Sequence, residues 1–444
     1  MSEVTSPDAL LKQATRSMRP LVAFLMALYF FAVLDRLNVG FAALTMNKAL
    51  GLGPAQFGFG AGLFFYSYVI LEIPSNILLQ RFGARRWIAR IVVTWGICST
   101  ATAFVTGEKS FYVVRLLLGA AEAGFFPAII FYISRWFPPS DRARMNTLFL
   151  LGIPLSGIAS SFLASACLSL DGVGGVAGWQ WLFICEGVPP ILCGFAVLRF
   201  LPDSPADARF LTSAQSAALA TALDRDQAAV SGTFPLSVVG ALFSPICLLL
   251  GVAYFGITVG LSTLGFWLPQ AVASLGKNSV VVVGLMTAIP LGIGASIMLA
   301  ASLSSDRRGE RLWHFGAMTV LAAAGWLLFG QVSSSVARLL LIGVAAGGTY
   351  GMLSLFWTLP GTYLSGRAAA PGIAFISALG TTGAAVGPWA IGVLRRIGGD
   401  FTLAFGFVAA CIAVGGMTGL LVGSHILRRY AVAVSAPKRI IAFD

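Results

Sequence analysis

Residues 28–44 read LYFFAVLDRLNVGFAAL, and residues 111–133 read FYVVRLLLGAAEAGFFPAIIFYI. Both stretches are apolar enough to cross a membrane, and each is broken by two ionisable side chains. Asp35 and Arg36 interrupt the first; Arg115 and Glu122 interrupt the second. A charge at mid-bilayer costs about 2.5–3.5 kcal/mol, so such residues persist where they face a protein interior or a water-filled path. Two cations and two carboxylates in that setting point to a site for an anion and for protons, and hence to transport.

Working outward, the rest of the chain has the same character. Of 444 residues, 57% are hydrophobic and only 10% are charged, against about 25% charged in a soluble domain. That deficit, spread over many long apolar runs, defines a polytopic membrane protein. The 51 glycines and 33 phenylalanines suit closely packed membrane helices. The net charge of +12 is no nucleic-acid signal, because the basic residues lie in short loops between apolar runs. Six cysteines fall in apolar segments without metal-type spacing and read as free packing thiols. No cofactor or metal is expected, and no nucleophile–base pair supports an enzyme.

Apolar runs of about 20 residues, enough to cross a core of about 30 Å, predict twelve helical spans. Their limits are 20–44, 57–79, 87–106, 111–134, 146–170, 180–201, 244–270, 280–303, 313–331, 336–359, 371–394 and 402–427. They group as an N-terminal six-helix bundle (1–201), a connector (202–243) and a C-terminal six-helix bundle (244–444). Within the connector, Thr212 and Gln215 form a capping box that predicts a short surface helix to about Ala229. Of the 29 Lys and Arg residues, 21 fall on the side of the termini, 6 in the opposite loops and 2 within spans. That asymmetry places both termini in the cytoplasm, of a cell inner membrane.

The two halves repeat. Arg81, Gly83, Arg85 and Trp87 follow span 2; Arg307, Gly309, Arg311 and Trp313 follow span 8, each 226 residues later. Both loops lie on the same side, so the repeat is parallel, the organisation of a carrier with its substrate site between two bundles. Here the chain resembles the major facilitator superfamily, whose loop motif is matched by Ser305-Asp306-Arg307-Arg308-Gly309-Glu310-Arg311. The first-half copy lacks the acidic residue before Arg81. Arg81, Gly83, Arg85, Asp306, Arg307, Gly309 and Arg311 are expected to latch one conformation, the arginines meeting helix C-termini and acidic partners on the neighbouring bundle.

A narrower resemblance spans nearly the whole chain. The runs LDRLNVGFA (34–42), LEIPSNILLQRFGARRWIAR (71–90), RLLLGAAEAGFFPAIIFYISRWFP (115–138), WQWLFICEGVPP (179–190) and LPDSPADARFLT (201–212) resemble the anion:cation symporter family. The resemblance implies uptake of an organic anion, such as tartrate, phthalate, hydroxyphenylacetate or a sugar acid, together with protons. It associates Arg36 and Arg115 with substrate, and Asp35 and Glu122 with proton coupling.

Read physically, Asp35 lies roughly 22 Å along its helix at 1.5 Å per residue, and Arg115 roughly 6 Å from the start of its own, at comparable depth. Glu122 follows Arg115 by two turns, on the same face and about 10 Å deeper. Planar guanidiniums suit a carboxylate, which they bind bidentately. The 226-residue offset carries Asp35, Arg115 and Glu122 onto Leu261, Leu341 and Gly348, so the second half has no equivalent charges. It is expected to supply shape and polar contacts from Tyr254, Trp267, Trp357, Ser377 and Thr381, with Tyr68 on span 2 opposite. In sequences this chain resembles, positions 377 and 381 are often asparagine. Glu72 and Glu186 read as structural pairing residues. The expected mechanism is proton-driven import of a small carboxylate by alternating access, with the protein working as a monomer in the lipid bilayer. An efflux carrier of the same fold for drugs or sugars, a membrane enzyme, or a non-transporting sensor are the alternatives.

Overall fold

The computed structural model describes the backbone of residues 7–137, 139–208, 210–230, 244–363 and 369–435. It is helical throughout, without strands among the described residues. The long helices run Arg19–Ala49 (span 1), Pro54–Phe82 (2), Ala84–Thr102 (3), Glu108–Trp136 in two pieces (4), Pro139–Leu168 (5) and Gly178–Phe200 (6). They continue as Pro245–Phe266 (7), Val280–Arg308 (8), Leu312–Leu328 (9), Ser335–Phe356 (10), Ala369–Gly398 (11) and Thr402–Ser435 (12). Ten helical segments are long and apolar enough to cross a membrane; spans 3 and 5 complete the twelve. In span 3, Arg85, Arg86 and Arg90 dilute the apolar content of a 19-residue helix. Its end, Thr102, falls short of the expected 106. Side chains such as Ile70 (70% exposed), Phe104 (70%) and Val336 (68%) face outward as a lipid-facing surface does. Between spans 6 and 7, helix Ser213–Val230 begins at the Thr212/Gln215 box: Gln215 N donates to Thr212 Oγ1 (3.3 Å), and Thr212 N donates to Gln215 Oε1 (3.0 Å).

Packing repeats with the offset. In the first six helices, span 3 packs on span 6, span 2 on span 4, and span 1 on spans 5 and 6; in the last six, span 9 packs on span 12, span 8 on span 10, and span 7 on spans 11 and 12. The halves meet along span 2 with span 11, span 5 with span 8, and span 1 with span 7. Contacts across these seams gather toward the end of the molecule away from the termini, here called distal. There a methyl group on Gly58 or Gly62 of span 2 would overlap the carbonyl oxygen of Pro388 or Ala385 on span 11. The missing side chains let the two backbones touch. Phe57 meets Trp267 edge to face at 5.2 Å, and the Trp267 indole donates to the Pro388 carbonyl at 3.2 Å. The distal end is thus closed; the space between the halves beneath it is here called the gap.

Span 4 departs from the expected continuous helix. It stops at Glu122 and restarts at Phe125. Gly124 holds φ +83, which side-chain-bearing residues rarely adopt, and a methyl there would also strike Ser75. Backbone this irregular is tolerated at membrane depth only where protein or a cavity surrounds it. It falls directly beside the buried acid.

Candidate functional site

Span 1 turns by about 100° per residue, and that rotation separates Asp35 from Arg36. Arg36 faces the gap between the halves, with its side chain 23% exposed, while Asp35 is fully buried against spans 3 and 6. The Arg36 guanidinium is held by Glu122: Nε donates to Oε1 at 2.8 Å, and Nη2 lies 2.5 Å from the same oxygen. It also lies over the rings of Tyr68 (5.2 Å) and Phe64 (5.7 Å). Glu122 is fully buried, and its Oε2 has no hydrogen-bond partner.

Arg115 is the second guanidinium, 1% exposed. It lies over the same Phe64 ring, 5.1 Å from its centroid, and 5.9 Å from that of Phe266 on span 7. Close packing at Gly119, where a methyl would overlap the Phe64 carbonyl, draws span 2 against span 4 and brings this ring within reach of both cations. Arg115 makes one long hydrogen bond, from Nη2 to the Ala61 carbonyl at 3.4 Å; Nε and Nη1 have none. A buried cation with unused donors is costly unless an anion completes it. Asp35 and Glu122 are near enough for attraction but do not bond to it.

Asp35 bonds elsewhere. Its Oδ1 accepts from Asn38 Nδ2 at 3.0 Å and from the Ser99 hydroxyl, and Oδ2 has no partner. Asn38, Ser99 and Phe64 were not among the residues expected to matter. Asn38 alone was legible, one helical turn from Asp35 and inside an apolar run. Glu186 of span 6 was expected to pair structurally. It is instead 1% exposed with neither oxygen hydrogen-bonded.

The second half presents part of the expected set. Tyr254, Trp357, Ser377 and Thr381 are all half-buried. Tyr254 stacks on Phe356 at 5.2 Å and meets Trp357 edge on at 5.0 Å. The Thr381 hydroxyl donates back to the Ser377 carbonyl at 2.7 Å; it remains available as an acceptor. Trp267, expected to line the site, sits in the distal seal instead, fully buried. The indole meets Phe57 of span 2 and the Pro388 carbonyl of span 11 rather than the gap.

The expected latch residues lie at the loops after spans 2 and 8. Arg85 N donates to Asp203 Oδ1 at 3.0 Å, and the Arg85 guanidinium donates to the Leu198 carbonyl at the end of span 6. Gly83 makes the turn with φ +84, and Arg81 lies over Phe82. In the second loop Gly309 has φ +63, Arg311 pairs with Asp306 at 2.5 Å, and Arg307 is exposed. Among the described residues these contacts stay within each half rather than reaching the neighbouring bundle as expected. Burial opposes ionisation of neighbouring Glu310, but the Trp313 N–H and the His314 ring outweigh it and hold the carboxyl below the usual range.

Paired helical halves, a gap between them closed at one end, and guanidiniums beneath that closure define a membrane carrier. The Major Facilitator Superfamily model matches residues 25–388, and the chain belongs to that family. It is 42% identical over 420 residues to an Agrobacterium vitis protein named "Putative tartrate transporter", which covers 95% of this chain and 91% of that one. It is 36% identical over 418 residues to the "Quinolone resistance transporter" of Acinetobacter baumannii, covering 94% and 96%. The crystal structure of a D-xylose-proton symporter superposes with a TM-score of 0.70 at 16% identity, covering 91% of this chain and 96% of that one. The anion:cation symporter-like resemblance and the twelve-helix fold are thus supported, and the protein is a multi-pass transporter rather than an enzyme.

Proposed function

We propose that this protein imports a small organic carboxylate together with protons, by alternating access between bundles 1–201 and 244–444. One observation carries the reading: Arg115 is buried with two unused donor nitrogens, beside an Arg36 whose guanidinium is occupied by Glu122. Glu122 and a substrate carboxylate compete for one cation. Protonating Glu122 ends its claim on Arg36 and lets the anion bind across Arg36 and Arg115. Tyr254, Trp357, Ser377 and Thr381 then close on the substrate from the second half. With the termini cytoplasmic in the inner membrane, as the Lys/Arg asymmetry favours, the closed distal end faces outside and the gap faces the cytoplasm. No second chain is needed, because each copy holds both halves. The name of the Agrobacterium vitis relative supports tartrate as the first substrate to try.

The test is a thermal-shift screen of purified protein against tartrate, phthalate, hydroxyphenylacetate and gluconate, followed by uptake of the best binder into proteoliposomes. A ligand at a hundred times its Kd stabilises by about 2.7 kcal/mol. A stabilising carboxylate that accumulates when the outside is made acid is the expected result. A second reading, drug efflux, is favoured by the name of the Acinetobacter baumannii relative. An acid-outside gradient that drives a quinolone outward, with no carboxylate bound, would establish it instead.

A further inference from the structure

We infer that Glu186 is a third proton-carrying carboxyl of this transporter, working with Asp35 across the Asn38 side chain. The inference rests on the proton-coupled reading above. Three enclosed acids (Asp35, Glu122 and Glu186) share the interior of the first six helices with two guanidiniums, Arg36 and Arg115. The acids outnumber the guanidiniums, and half-buried Glu72, which acts on Arg36, adds to that excess. A proton on one acid lowers the excess before any substrate enters.

Burial without a partner places that proton. Asn38 Nδ2 is committed to Asp35 Oδ1 at 3.0 Å, which fixes the amide's orientation, and Asn38 Oδ1 is left without a partner. Asn38 also lies within hydrogen-bonding reach of Glu186, both of whose oxygens lack partners. Glu186 is buried with no cation bonded to it among the described residues, and a buried carboxylate without such a partner is costly, so the acid is carried there with a proton. Asp35 and Glu186 are close enough for their charges to repel as well.

The surroundings supply no other answer to that charge. Span 1 offers Asp35 and Asn38, span 3 offers Ser99 and Cys98, span 5 offers Cys167, and span 6 its own Cys185. Glu122 and Arg115 of span 4 act on Asp35. Among the described residues no ion pair joins Glu186 to a cation. Transfer breaks the O–H bond at Glu186 and forms one at the unpartnered Asp35 Oδ2. The ionised Glu186 then accepts the spare hydrogen of Asn38 Nδ2. No further reactant is required. Glu186 thus stores a proton for Asp35, which sits one residue from the substrate-facing Arg36.

Infrared spectroscopy of the full-length protein tests this without a substrate. The carbonyl absorption of protonated carboxyls, followed from acid to alkaline pH, is expected to contain a component that Glu186→Gln removes. Asp35→Asn is expected to keep that component and shift its titration. In proteoliposomes, with tartrate as probe, Glu186→Gln is expected to retain counterflow and lose accumulation driven by a pH gradient. A neutral, isosteric glutamine would leave a merely structural acid's role intact. An unchanged infrared component, or wild-type accumulation by the variant, overturns the inference. Should Glu186→Gln fail to fold, Glu186→Asp supplies the comparison, and an unmoved titration in that variant overturns it equally. If wild-type protein accumulates neither tartrate nor another carboxylate, the transport reading fails separately, and the infrared result still decides whether Glu186 exchanges a proton.

Discussion

Replacing Glu122 with glutamine isolates the competition at the centre of the site. In the wild type, a carboxylate reaching Arg36 must displace two contacts to Glu122 Oε1, at 2.8 and 2.5 Å. Hydrogen bonds to charged groups are worth about 1.5–3 kcal/mol and neutral ones about 0.5–1.5 kcal/mol. The glutamine therefore holds Arg36 less firmly by about 1–1.5 kcal/mol, which is roughly a tenfold change in affinity. At alkaline pH, where wild-type Glu122 keeps its grip, Glu122→Gln is expected to bind the carboxylate about tenfold more tightly. At acid pH the two proteins converge. The sign follows from the competition: protonation releases the cation, and the glutamine is released at every pH. Titration calorimetry of the best carboxylate across the pH range measures the effect. Uptake assays should show substrate exchange preserved and pH-driven accumulation abolished. A variant that keeps the wild-type pH dependence of binding, or still accumulates substrate, would refute the coupling assigned to Glu122.

Two further substitutions probe the anion site and the closed distal end. Arg115→Ala removes the buried cation with unused donors and is expected to abolish carboxylate binding; unchanged affinity by calorimetry would contradict direct contact. Gly62→Val puts a branched side chain where span 2 touches the Ala385 carbonyl. It is expected to hold the distal end apart and stop net uptake, with a longer spin-label distance between the distal ends of spans 2 and 11; normal uptake would refute the close approach.

The sequence by itself determined the class, because lipid admits few solutions. Runs of about 20 apolar residues must be helices in a bilayer, and the Arg–Gly–Arg–Trp offset of 226 residues set two halves in parallel. It also exposed Asp35, Arg36, Arg115 and Glu122, since ionisable residues are conspicuous in such runs. Only the tertiary structure decided what each of them faces. Asp35 and Arg36 are neighbours in the chain, yet helix rotation sends one toward Ser99 and Asn38 and the other into the gap. Glu186 read as an ordinary pairing residue until packing left both its oxygens without partners. Trp267 read as a site residue until contacts with spans 2 and 11 placed it in the distal seal. Side-chain direction and partners depend on which helices meet and at what depth, and contacts between residues far apart in the chain are not written in the local pattern of any one segment.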